Sequence, residues 1–342
     1  MAKFATISDV AREAGVSKTA VTLAMHHREG LSDATRERIL DTARRLHYRP
    51  APTRQTRGNR RAGQIVALFS SPILPAENLP ESAYLHDLAR GIEAGASSGL
   101  SNMVLSSVSI AAMNTNGLPA ILERSDADGA VVRSWEARVI ANRLRKLGHP
   151  FVLVDCDEIV EDAHQLQIDH EPAMHALVDH LVGRGCKHFA TITGDVEHLN
   201  ARERLEGLRG GLAEHKLDPP VVVKEQGFLP DSGLRGVKKL LDDGVSFDAL
   251  VCQSDLIAAG ALQALNKAGI AVPRQVKVTG FDNLALGALL APGLTTVDPH
   301  LYALGEAAAQ WLLQITGDPS SSPPRLRRWP ATLIRRGSTA SG

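Results

Sequence analysis

Residues 6–22 read T-I-S-D-V-A-R-E-A-G-V-S-K-T-A-V-T, and this stretch predicts two short helices separated by a tight turn. Thr6 and Asp9 have the spacing of a capping box, which begins the first helix. Gly15 can adopt the left-handed conformation that ends it. Ser17 follows at once and can cap the second helix. Two helices joined by roughly three residues that include a glycine are typical of a helix-turn-helix.

A third helix is predicted to begin at Ser32, and Tyr48 closes it before Pro50. Apolar residues at helical spacing form the predicted core of the three segments: Ala11, Ala14, Val16, Val21, Ala24, Ile39, Leu40, Ala43 and Leu46. In a helix-turn-helix the second helix enters the major groove of DNA. We therefore predict a three-helix DNA-binding domain over residues 1–50. The alternative is a generic bundle whose polar faces are simply solvated.

The outer face of the second helix carries the residues predicted to contact bases, which are Lys18, Thr19 and Leu23. A lysine can donate to guanine O6 and N7, and a threonine methyl or a leucine can contact the methyl group of thymine. Other residues are better placed for phosphates, where contacts position a domain without reading sequence. These are Ser17, Thr22, His26, Thr35 and Arg36.

Charge is divided unevenly along the chain, although the formal net charge at pH 7 is zero. Residues 1–61 contain 13 Lys and Arg against 6 Asp and Glu, whereas the rest of the chain has an excess of acids. A basic head on an acidic body indicates a module that binds a polyanion such as double-stranded DNA. Residues 49–61, R-P-A-P-T-R-Q-T-R-G-N-R-R, contain five arginines and no acid, and they predict a linker.

From residue 63 onward, short apolar runs alternate with helical stretches, which predicts parallel sheets with right-handed crossovers. The predicted strands are Ile65–Phe69, Met103–Ser106, Ala130–Val132, Phe151–Val154, Phe189–Thr193, Val221–Val223, Ala249–Cys252 and Val276–Phe281. The helices predicted between them include Tyr84–Ala96, Glu171–Gly183, Ala201–His215 and Asp255–Ala268. About ten such units favour two doubly wound lobes over one barrel.

The head resembles the LacI/GalR family of bacterial transcription regulators, without a gap from residue 5 to residue 50. The resemblance rests on residues 6–22, on S-D-A-T-R-E-R-I (32–39) and on L-H-Y-R-P (46–50). The body is similar to the effector-binding core of that family in R-E-R-L-E-G-L (202–208), G-F-L-P-D-S-G (227–233), C-Q-S-D-L-I-A-A-G-A-L-Q-A-L (252–265), V-P-R-Q-V-K-V-T-G-F-D-N (272–283), P-G-L-T-T-V (292–297) and P-A-T-L-I-R-R-G-S-T (330–339). The likeness is weakest over residues 72–125.

The resemblance implies an α/β protein with three parts. These are a three-helix helix-turn-helix DNA-binding domain (1–50), an Arg-rich hinge (51–61) and a periplasmic-binding-protein-like effector and dimerisation domain (62–342). Two doubly wound parallel-sheet lobes are expected in the last part: the first from about 62–167 and 298–327, and the second from about 168–297 and 328–342. A small ligand is expected between the lobes, because open α/β sheets bind ligands at the carboxyl ends of their strands.

The hinge departs from the family pattern. In the family a hinge leucine wedges into the minor groove, which unstacks and kinks a base step. Arg57 occupies that position here. An arginine favours a narrow, electronegative minor groove, so Arg54 and Arg57 are predicted to bind the minor groove electrostatically and to kink DNA less. The alternative is a flexible charged linker.

The resemblance also assigns effector-binding residues by position: Ser70, Asp155, Arg204, Phe228, Ser254 and Asp282. Ser134 and Trp135 lie at the end of a predicted strand and are expected to line the rim of the site. Asp and Arg side chains bind vicinal hydroxyls through paired hydrogen bonds, and an aromatic face covers the C–H side of a sugar. Ser254 stands where the family usually has Asn, which puts the usual ligand contact there in doubt. One Arg against two Asp favours a neutral sugar or polyol, with a nucleoside or purine as the alternative. Arg204 could instead be a surface charge, and Phe228 or Trp135 simple core.

Enzyme and metal chemistry are not indicated. The G-x-S-x-G match at residues 95–99 ends a predicted helix and precedes a strand, which reverses the order of a nucleophile elbow. His170, His175 and His180 are five residues apart, so a helix separates them by about 140° per step and they cannot share a metal. We expect a protein that is not an enzyme and that needs no cofactor or metal.

The cysteines and the hydropathy of the sequence indicate the cellular compartment in which the protein is expected. Cys156, Cys186 and Cys252 fit no disulfide framework, which favours a reducing cytoplasm. No apolar run approaches the roughly 20 residues of a membrane span, and the amino terminus has no apolar signal core. We expect a cytoplasmic protein without a membrane partner.

Together these features predict a ligand-controlled transcriptional regulator, with repression as the favoured mode, that binds a near-palindromic operator as a homodimer. Leu256, Ile257 and Gly260 are expected to contribute to the dimer, and the lack of a leucine heptad after Ile334 favours a dimer over a tetramer. The rival classes are a sugar-binding transport protein and a DNA-tethered enzyme. The basic head weighs against the first, and the missing catalytic constellation weighs against the second. Whether the ligand releases or recruits DNA is left open.

Overall fold

The computed structural model describes residues 7–25, 31–46, 63–70, 83–108, 117–123, 126–317, 323 and 325–340. The chain divides into two compact units, Met1–Arg61 and Ala62–Gly342. Several residues named from the sequence lie outside the described residues: Thr6, His26, Tyr48, Pro50, Arg54 and Arg57. Their predicted roles in capping, in closing the third helix and in contacting DNA therefore stay predictions.

The first unit contains a helix-turn-helix. Its helices are α1 (Ile7–Glu13), α2 (Lys18–Met25) and α3 (Asp33–Arg45). Gly15 has a φ of +63° between α1 and α2, and the Ser17 hydroxyl accepts a hydrogen bond from Ala20 N at 3.1 Å. The buried core consists of Val10, Ala11, Ala14, Val21, Ala24, Ile39 and Ala43. The predicted left-handed turn and the Ser17 cap are confirmed.

The second unit alternates strands and helices along the chain. The described strands are β1 (Gly63–Ser70), β2 (Ser101–Val108), β3 (Gly129–Arg133), β4 (Phe151–Val154), β5 (His164–Ile168), β6 (Phe189–Thr193), β7 (Val221–Lys224), β8 (Ala249–Cys252), β9 (Lys277–Phe281), β10 (Thr295–Asp298), β11 (Leu326–Trp329) and β12 (Thr332–Ile334). The described helices are α4 (Ala83–Ser98), α5 (Ala120–Glu123), α6 (Ala137–Leu147), α7 (His170–Val182), α8 (Leu199–Glu214), α9 (Pro230–Asp242), α10 (Asp255–Lys267), α11 (Ala285–Leu289) and α12 (Leu301–Gly317).

The strands form two six-stranded sheets. We call the sheet of order β11-β5-β4-β3-β1-β2 and its helices the first lobe, and the sheet of order β12-β10-β9-β8-β6-β7 and its helices the second lobe. The pairings are parallel, except that β12 runs antiparallel to β10. The chain passes between the lobes after β5, after β10 and again between β11 and β12. The predicted α/β class with two parallel-sheet lobes is confirmed.

Strand β1 shows why its sequence forms a central strand. Ile65, Ala67 and Phe69 point into one apolar cluster, whereas Val66 and Leu68 point into another on the opposite face. A strand of a parallel sheet is covered by helices on both faces, so a continuous apolar run is required rather than an alternating one.

Four of the described strands were not predicted from the sequence: β5, β10, β11 and β12. Strand β5 carries Gln165 and Gln167, which are buried although polar. Gln165 is hydrogen-bonded to the backbone of Val160 and Glu158. Strand β11 contains two consecutive arginines at the edge of its sheet. None of these segments has the apolar run by which a buried strand is recognised.

Helices α9 and α10 approach each other closely at Gly260. A Cβ atom on Gly260 would lie 1.8 Å from the carbonyl oxygen of Pro230, and Ile257 is fully buried. The expectation that Ile257 and Gly260 contribute to a dimer surface is therefore wrong, because α9 covers that face of α10. Leu256 stays partly exposed.

None of the helices in the described part of the chain combines the length and the apolar character that crossing a membrane requires.

Candidate functional site

Helix α2 is the candidate nucleic-acid interface of the first unit. Ser17, Lys18 and Thr19 are exposed at its amino-terminal end, and Leu23 is partly exposed about one turn later. Thr22 also belongs to α2. An exposed amino-terminal turn is the part of a recognition helix that contacts base edges. The structure thus leaves the three predicted base-contacting residues accessible on one short helix.

The two residues of α3 predicted to contact phosphates have partners within the unit. Arg36 Nη1 donates to the carbonyl oxygens of Leu23 and Ala24 at 3.3 and 3.5 Å. Thr35 shares a hydrogen bond of 2.8 Å with Ser32. The last carbonyls of a helix have no partner within the helix, and a cation there also complements the helix dipole. Arg36 of α3 is therefore hydrogen-bonded to the carboxyl end of α2, a contact that was not predicted from the sequence.

In the second unit, the carboxyl ends of the parallel strands of the first lobe bring three predicted ligand residues to one edge. Ser70 ends β1, Ser134 follows β3, and Asp155 follows β4. The hydroxyls of Ser70 and Ser134 share a hydrogen bond of 2.6 Å, and all three residues are buried. Asp155 has a φ of +44°, a conformation that costs free energy for a residue other than glycine.

Arg204 organises the corresponding edge of the second lobe. It projects from α8, is 4% exposed and donates to the carbonyl oxygen of Gln253 at 2.6 Å. Its Nη2 lies 3.7 Å from Asp282 Oδ1, and its guanidinium carbon lies 3.7 Å from the ring centroid of Phe281. Arg204 is buried against Asp282, which follows β9. It is therefore not a surface charge, which was the alternative interpretation from the sequence.

Residues that the sequence analysis did not select complete the first-lobe edge. The Tyr84 hydroxyl donates to Asp155. Arg133 lies 3.4 Å from Asp157, and its guanidinium carbon is 5.6 Å from the centroid of the Tyr84 ring. Arg133 is the last residue of β3, so the strand-end rule that selected Ser134 would have found it. Tyr84 lies on a helix, and its spacing carries no such signal.

Asn200 connects the two lobes. Its Nδ2 donates to Asp155 at 3.3 Å, and its Oδ1 accepts from Gln167 Nε2 at 2.6 Å and from His170 Nε2 at 3.2 Å. His170 Nδ1 in turn accepts from Arg204 Nε at 3.4 Å. This arrangement requires a neutral His170 with its proton on Nε2. Asp155 of the first lobe and Arg204 of the second lobe are thus connected through one hydrogen-bonded network.

Aromatic side chains from both lobes meet beside this network. Trp135 of the first lobe lies edge to face on His198, with ring centroids 4.0 Å apart, and 6.3 Å from Phe228. A Cβ atom on Gly194 would lie 2.4 Å from the Phe228 ring, so glycine at this position makes room for that ring. Trp135 and Phe228 therefore form apolar walls on opposite lobes, next to the polar groups.

The burial of the cleft shifts the pKa values of its acids and of its histidine. Burial raises the pKa of Asp155 to about 6, against the opposing effects of Arg133 and Tyr84. Burial raises the pKa of Asp282 to about 8, against the effect of Arg204. Burial and Arg204 hold the pKa of His170 well below its ordinary value. Both shifts favour the protonated, uncharged carboxyl, because burial disfavours the charged form.

Ser254 has a structural role at the start of α10. Its hydroxyl accepts from Ile257 N at 3.1 Å and donates to the carbonyl oxygen of Phe228 at 3.2 Å. It therefore caps α10 and fixes the loop that carries Phe228. The donor and one acceptor position of this hydroxyl are already used, which leaves one acceptor position for a ligand.

No group of His, Cys, Asp and Glu within the described ranges could hold a metal ion. The three regularly spaced histidines have separate surroundings. His170 belongs to the cleft network, His175 lies 3.4 Å from Glu214, and His180 is hydrogen-bonded to Thr339 at 2.8 Å.

Comparisons with known proteins agree with this architecture. Residues 6–51 match the family model described as bacterial regulatory proteins, lacI family, and residues 178–339 match a periplasmic binding protein-like domain. The HTH-type transcriptional regulator MalR of Streptomyces coelicolor is 30% identical, over 98% of this chain and 96% of that protein. A lac repressor dimer bound to operator and the anti-inducer ONPF has a TM-score of 0.68 at 23% identity, covering 98% of this chain and 99% of that one. A complex of the transcriptional regulator CelR with cellobiose has a TM-score of 0.70 at 23% identity, with the same coverage.

Proposed function

Because the chain belongs to the lacI family of bacterial regulatory proteins, we propose that it is a cytoplasmic transcriptional repressor whose affinity for operator DNA is controlled by a small ligand held between the two lobes. One observation carries the proposal: buried Asp155 and Arg204 and partly buried Asp282 converge where the strands of both lobes end. The same chain carries an exposed recognition helix.

The charges of the cleft favour a neutral polyhydroxylated ligand. Arg133 lies beside Asp157, so this arginine already has a counter-charge that a phosphate would have to displace. Arg204 already donates to the carbonyl oxygen of Gln253. Carboxylates and guanidinium groups bind sugar hydroxyls through paired hydrogen bonds. The walls formed by Trp135 and Phe228 suit the C–H face of a sugar ring. We propose a sugar or polyol, and the related CelR structure contains cellobiose.

Control by the ligand follows from the network that joins the lobes. Asn200 bonds both to Asp155 of the first lobe and to His170 of the second. A ligand that takes over some of these hydrogen bonds changes the relative stability of open and closed lobes. DNA affinity then changes by the difference in ligand binding free energy between the two states.

A homodimer is proposed on the second lobe. Leu289 on α11 is 86% exposed and Leu229 before α9 is 43% exposed, and Leu256 on α10 is partly exposed. Large apolar side chains exposed on neighbouring helices indicate an interaction surface, and a two-fold dimer uses the same patch on both subunits. The related lac repressor structure is a dimer.

We propose the same DNA contacts that were predicted from the sequence. Lys18, Thr19 and Leu23 contact bases. Phosphates and the minor groove are contacted by Ser17, Thr22, His26, Thr35, Arg36, Arg54 and Arg57. A homodimer then places two copies of α2 in successive major grooves of a near-palindromic site.

The proposal is tested on the full chain in two steps. A thermal-shift screen of sugars, polyols, nucleosides and purines identifies a ligand that stabilises the folded state. Duplexes retained from a random pool are then measured with and without that ligand. We expect selective retention that the ligand changes, and Asp282→Ala should lose the ligand response while keeping retention. Ligand capture without any DNA retention would support a transport protein, and chemical turnover of the ligand would support an enzyme.

A further inference from the structure

Arg133 and Asp157 of the first lobe form an ion pair that leaves hydrogen-bonding capacity unused. Arg133 Nη2 lies 3.4 Å from Asp157 Oδ2, and the two side chains are 12% and 4% exposed. Within the described part of the chain, Arg133 Nε and Asp157 Oδ2 are buried and have no hydrogen-bond partner. Because buried polar atoms are nearly always hydrogen-bonded, one donor and one acceptor are left here for a further group.

Two aromatic rings hold Arg133 at the cleft. Arg133 is the last residue of β3, and its guanidinium carbon lies 5.6 Å from the centroid of the Tyr84 ring and 5.9 Å from a ring of Trp135. Both distances are in the range of cation–π contacts. The Tyr84 hydroxyl donates to Asp155, and Trp135 contacts His198 of the second lobe. The guanidinium group is therefore held between a partner of Asp155 and an aromatic wall of the cleft.

Asp157 is fixed where the two lobes meet. Its backbone N–H donates to the carbonyl oxygen of Ser134 at 3.3 Å, and its carbonyl oxygen accepts from Leu199 N at 3.2 Å. Ser134 follows β3 in the first lobe, whereas Leu199 begins α8 in the second lobe. Since both backbone groups of Asp157 are hydrogen-bonded, the chain holds its carboxylate beside Arg133.

The charge of Arg133 acts on acids of both lobes. Burial raises the pKa of Asp155 to about 6, and Arg133 is the largest of the effects that oppose this shift. Burial likewise raises the pKa of Asp282 to about 8, and Arg133 opposes that shift together with Arg204. Because the interaction between charges weakens with distance, Arg133 lies within electrostatic range of both acids that the proposed function assigns to the ligand.

The two unpaired atoms match a hydroxyl group. An arginine N–H can only donate and an ionised carboxylate can only accept, whereas a hydroxyl does both. One hydroxyl oxygen can thus accept from Arg133 and donate its proton to Asp157. A phosphate in the same place would face the carboxylate of Asp157, and an ammonium group would face Arg133.

We propose that Arg133 and Asp157 form a subsite for one hydroxyl group of a neutral sugar, and that this subsite makes the hydroxyl a requirement for binding. The inference rests on the proposed function, since it concerns the ligand of the same cleft. It adds two first-lobe residues to those that the family resemblance assigned. A water molecule has the same hydrogen-bonding chemistry, and the experiment separates the two.

The experiment measures binding of sugars that differ by a single hydroxyl. The probes are D-glucose, D-galactose, D-ribose and cellobiose, and each is compared with its monodeoxy analogues by calorimetric titration of the full chain. A site built to hydrogen-bond a hydroxyl rejects the analogue that lacks it, because the polar groups of the site are left unpaired. For a probe that binds, we expect removal of one particular hydroxyl to weaken binding at least about tenfold.

The variant Arg133→Met removes the donors and keeps an unbranched side chain. We expect it to weaken binding of the parent sugar at least about tenfold. It should also abolish the penalty for removing that one hydroxyl, while penalties at the other positions persist. Removal of either partner deletes the same contact, so the two losses are not additive. A purely structural role of Arg133 would leave the penalties unchanged.

A second variant covers the case in which Arg133→Met impairs folding, because it leaves Asp157 as a buried charge without its partner. Arg133→Met with Asp157→Asn removes both charges and should show the same loss of discrimination. The matched control is Arg138→Met. Arg138 also pairs with a carboxylate of the first lobe, Glu158 at 3.3 Å, but its side chain is 54% exposed. This control should bind the parent sugar and its analogues as the wild type does.

Three results would overturn the subsite. Penalties that persist at every hydroxyl position in both Arg133 variants would assign the unpaired atoms to an ordered water molecule. An equal loss of discrimination in Arg138→Met would make the effect a general one. Binding of none of the four sugars would also overturn it, and the ligand-controlled repressor would still stand if a nucleoside or purine changes duplex retention. A chain that retains no duplex at low salt would overturn the proposed function, whatever the sugar titrations give.

Discussion

Trp135 of the first lobe and His198 of the second lobe form an edge-to-face contact, with ring centroids 4.0 Å apart and ring planes at 68°. The contact joins the two lobes beside Phe228. Any rotation of the lobes changes the surroundings of this indole.

Trp135 should therefore report ligand binding. We expect a stabilising ligand to change the tryptophan emission of the wild type, and Trp135→Phe to lose most of that change. The conservative variant keeps an aromatic ring against His198, where such a pair contributes roughly 0.5–1.5 kcal/mol, so ligand stabilisation should persist. Trp329→Phe is the control and should keep the emission change. A response retained in full by Trp135→Phe would contradict the assignment.

The pKa of Asp282 predicts a pH dependence of stability. Burial raises the pKa of this carboxyl in the folded chain to about 8, whereas the unfolded value is about 3.9. The folded state thus binds the extra proton between these values, and stability falls as the pH rises through that window. We expect Asp282→Asn to lose less stability than the wild type between about pH 5 and pH 8 in urea unfolding. The exposed Asp218→Asn should follow the wild type, and parallel curves for all three would contradict the prediction.

Lys18 should specify a base. Lys18→Ala is expected to relax the preference at one position of the selected site, at a cost of ~1–3 kcal/mol for the preferred base pair. The measurement compares affinities for the selected duplex and for duplexes changed at single positions. An equal loss of affinity for every duplex would make Lys18 a phosphate contact instead.

Leu289 should stabilise the dimer. A charged residue on this 86% exposed position would be desolvated at the interface, so Leu289→Asp is expected to weaken dimerisation by at least about tenfold in sedimentation equilibrium. Leu100→Asp, on a 79% exposed position of the first lobe, is the matched control. Dissociation by Leu100→Asp alone would move the interface to the first lobe.

Gly260 should be essential for the packing of α9 against α10. A Cβ atom there meets the backbone of Pro230, which cannot move without displacing α9. We expect Gly260→Ala to lower the free energy of unfolding by about 1–3 kcal/mol or more. Gly317 lies at the end of α12, where an added Cβ atom would meet no other atom within 4 Å, so Gly317→Ala should have little effect. Equal stabilities of the two variants would contradict the argument.

Local signals in the sequence were sufficient to predict the helix-turn-helix of the first unit. The Gly15 turn and the Ser17 cap depend on residues within one turn of the chain, and the structure contains both. In the second unit, the resemblance to the family assigned Ser70, Asp155 and Asp282 to the ligand site. Each of these residues directly follows a predicted apolar strand, and parallel strands bring their carboxyl ends to one edge, so the strand pattern agrees with that assignment.

Only the tertiary structure determined which side chains contact one another. Tyr84 reaches Asp155, and Asn200 joins it from the other lobe, through contacts between residues far apart in sequence. The same holds for Arg36, which bonds to the end of α2, and for Gly260, which α9 covers. Capping and apolar periodicity depend on residues a few positions apart, so the local sequence is sufficient to specify them. Contacts across the cleft depend on the path of the whole chain, so the side chains that meet there are fixed only when both lobes have folded.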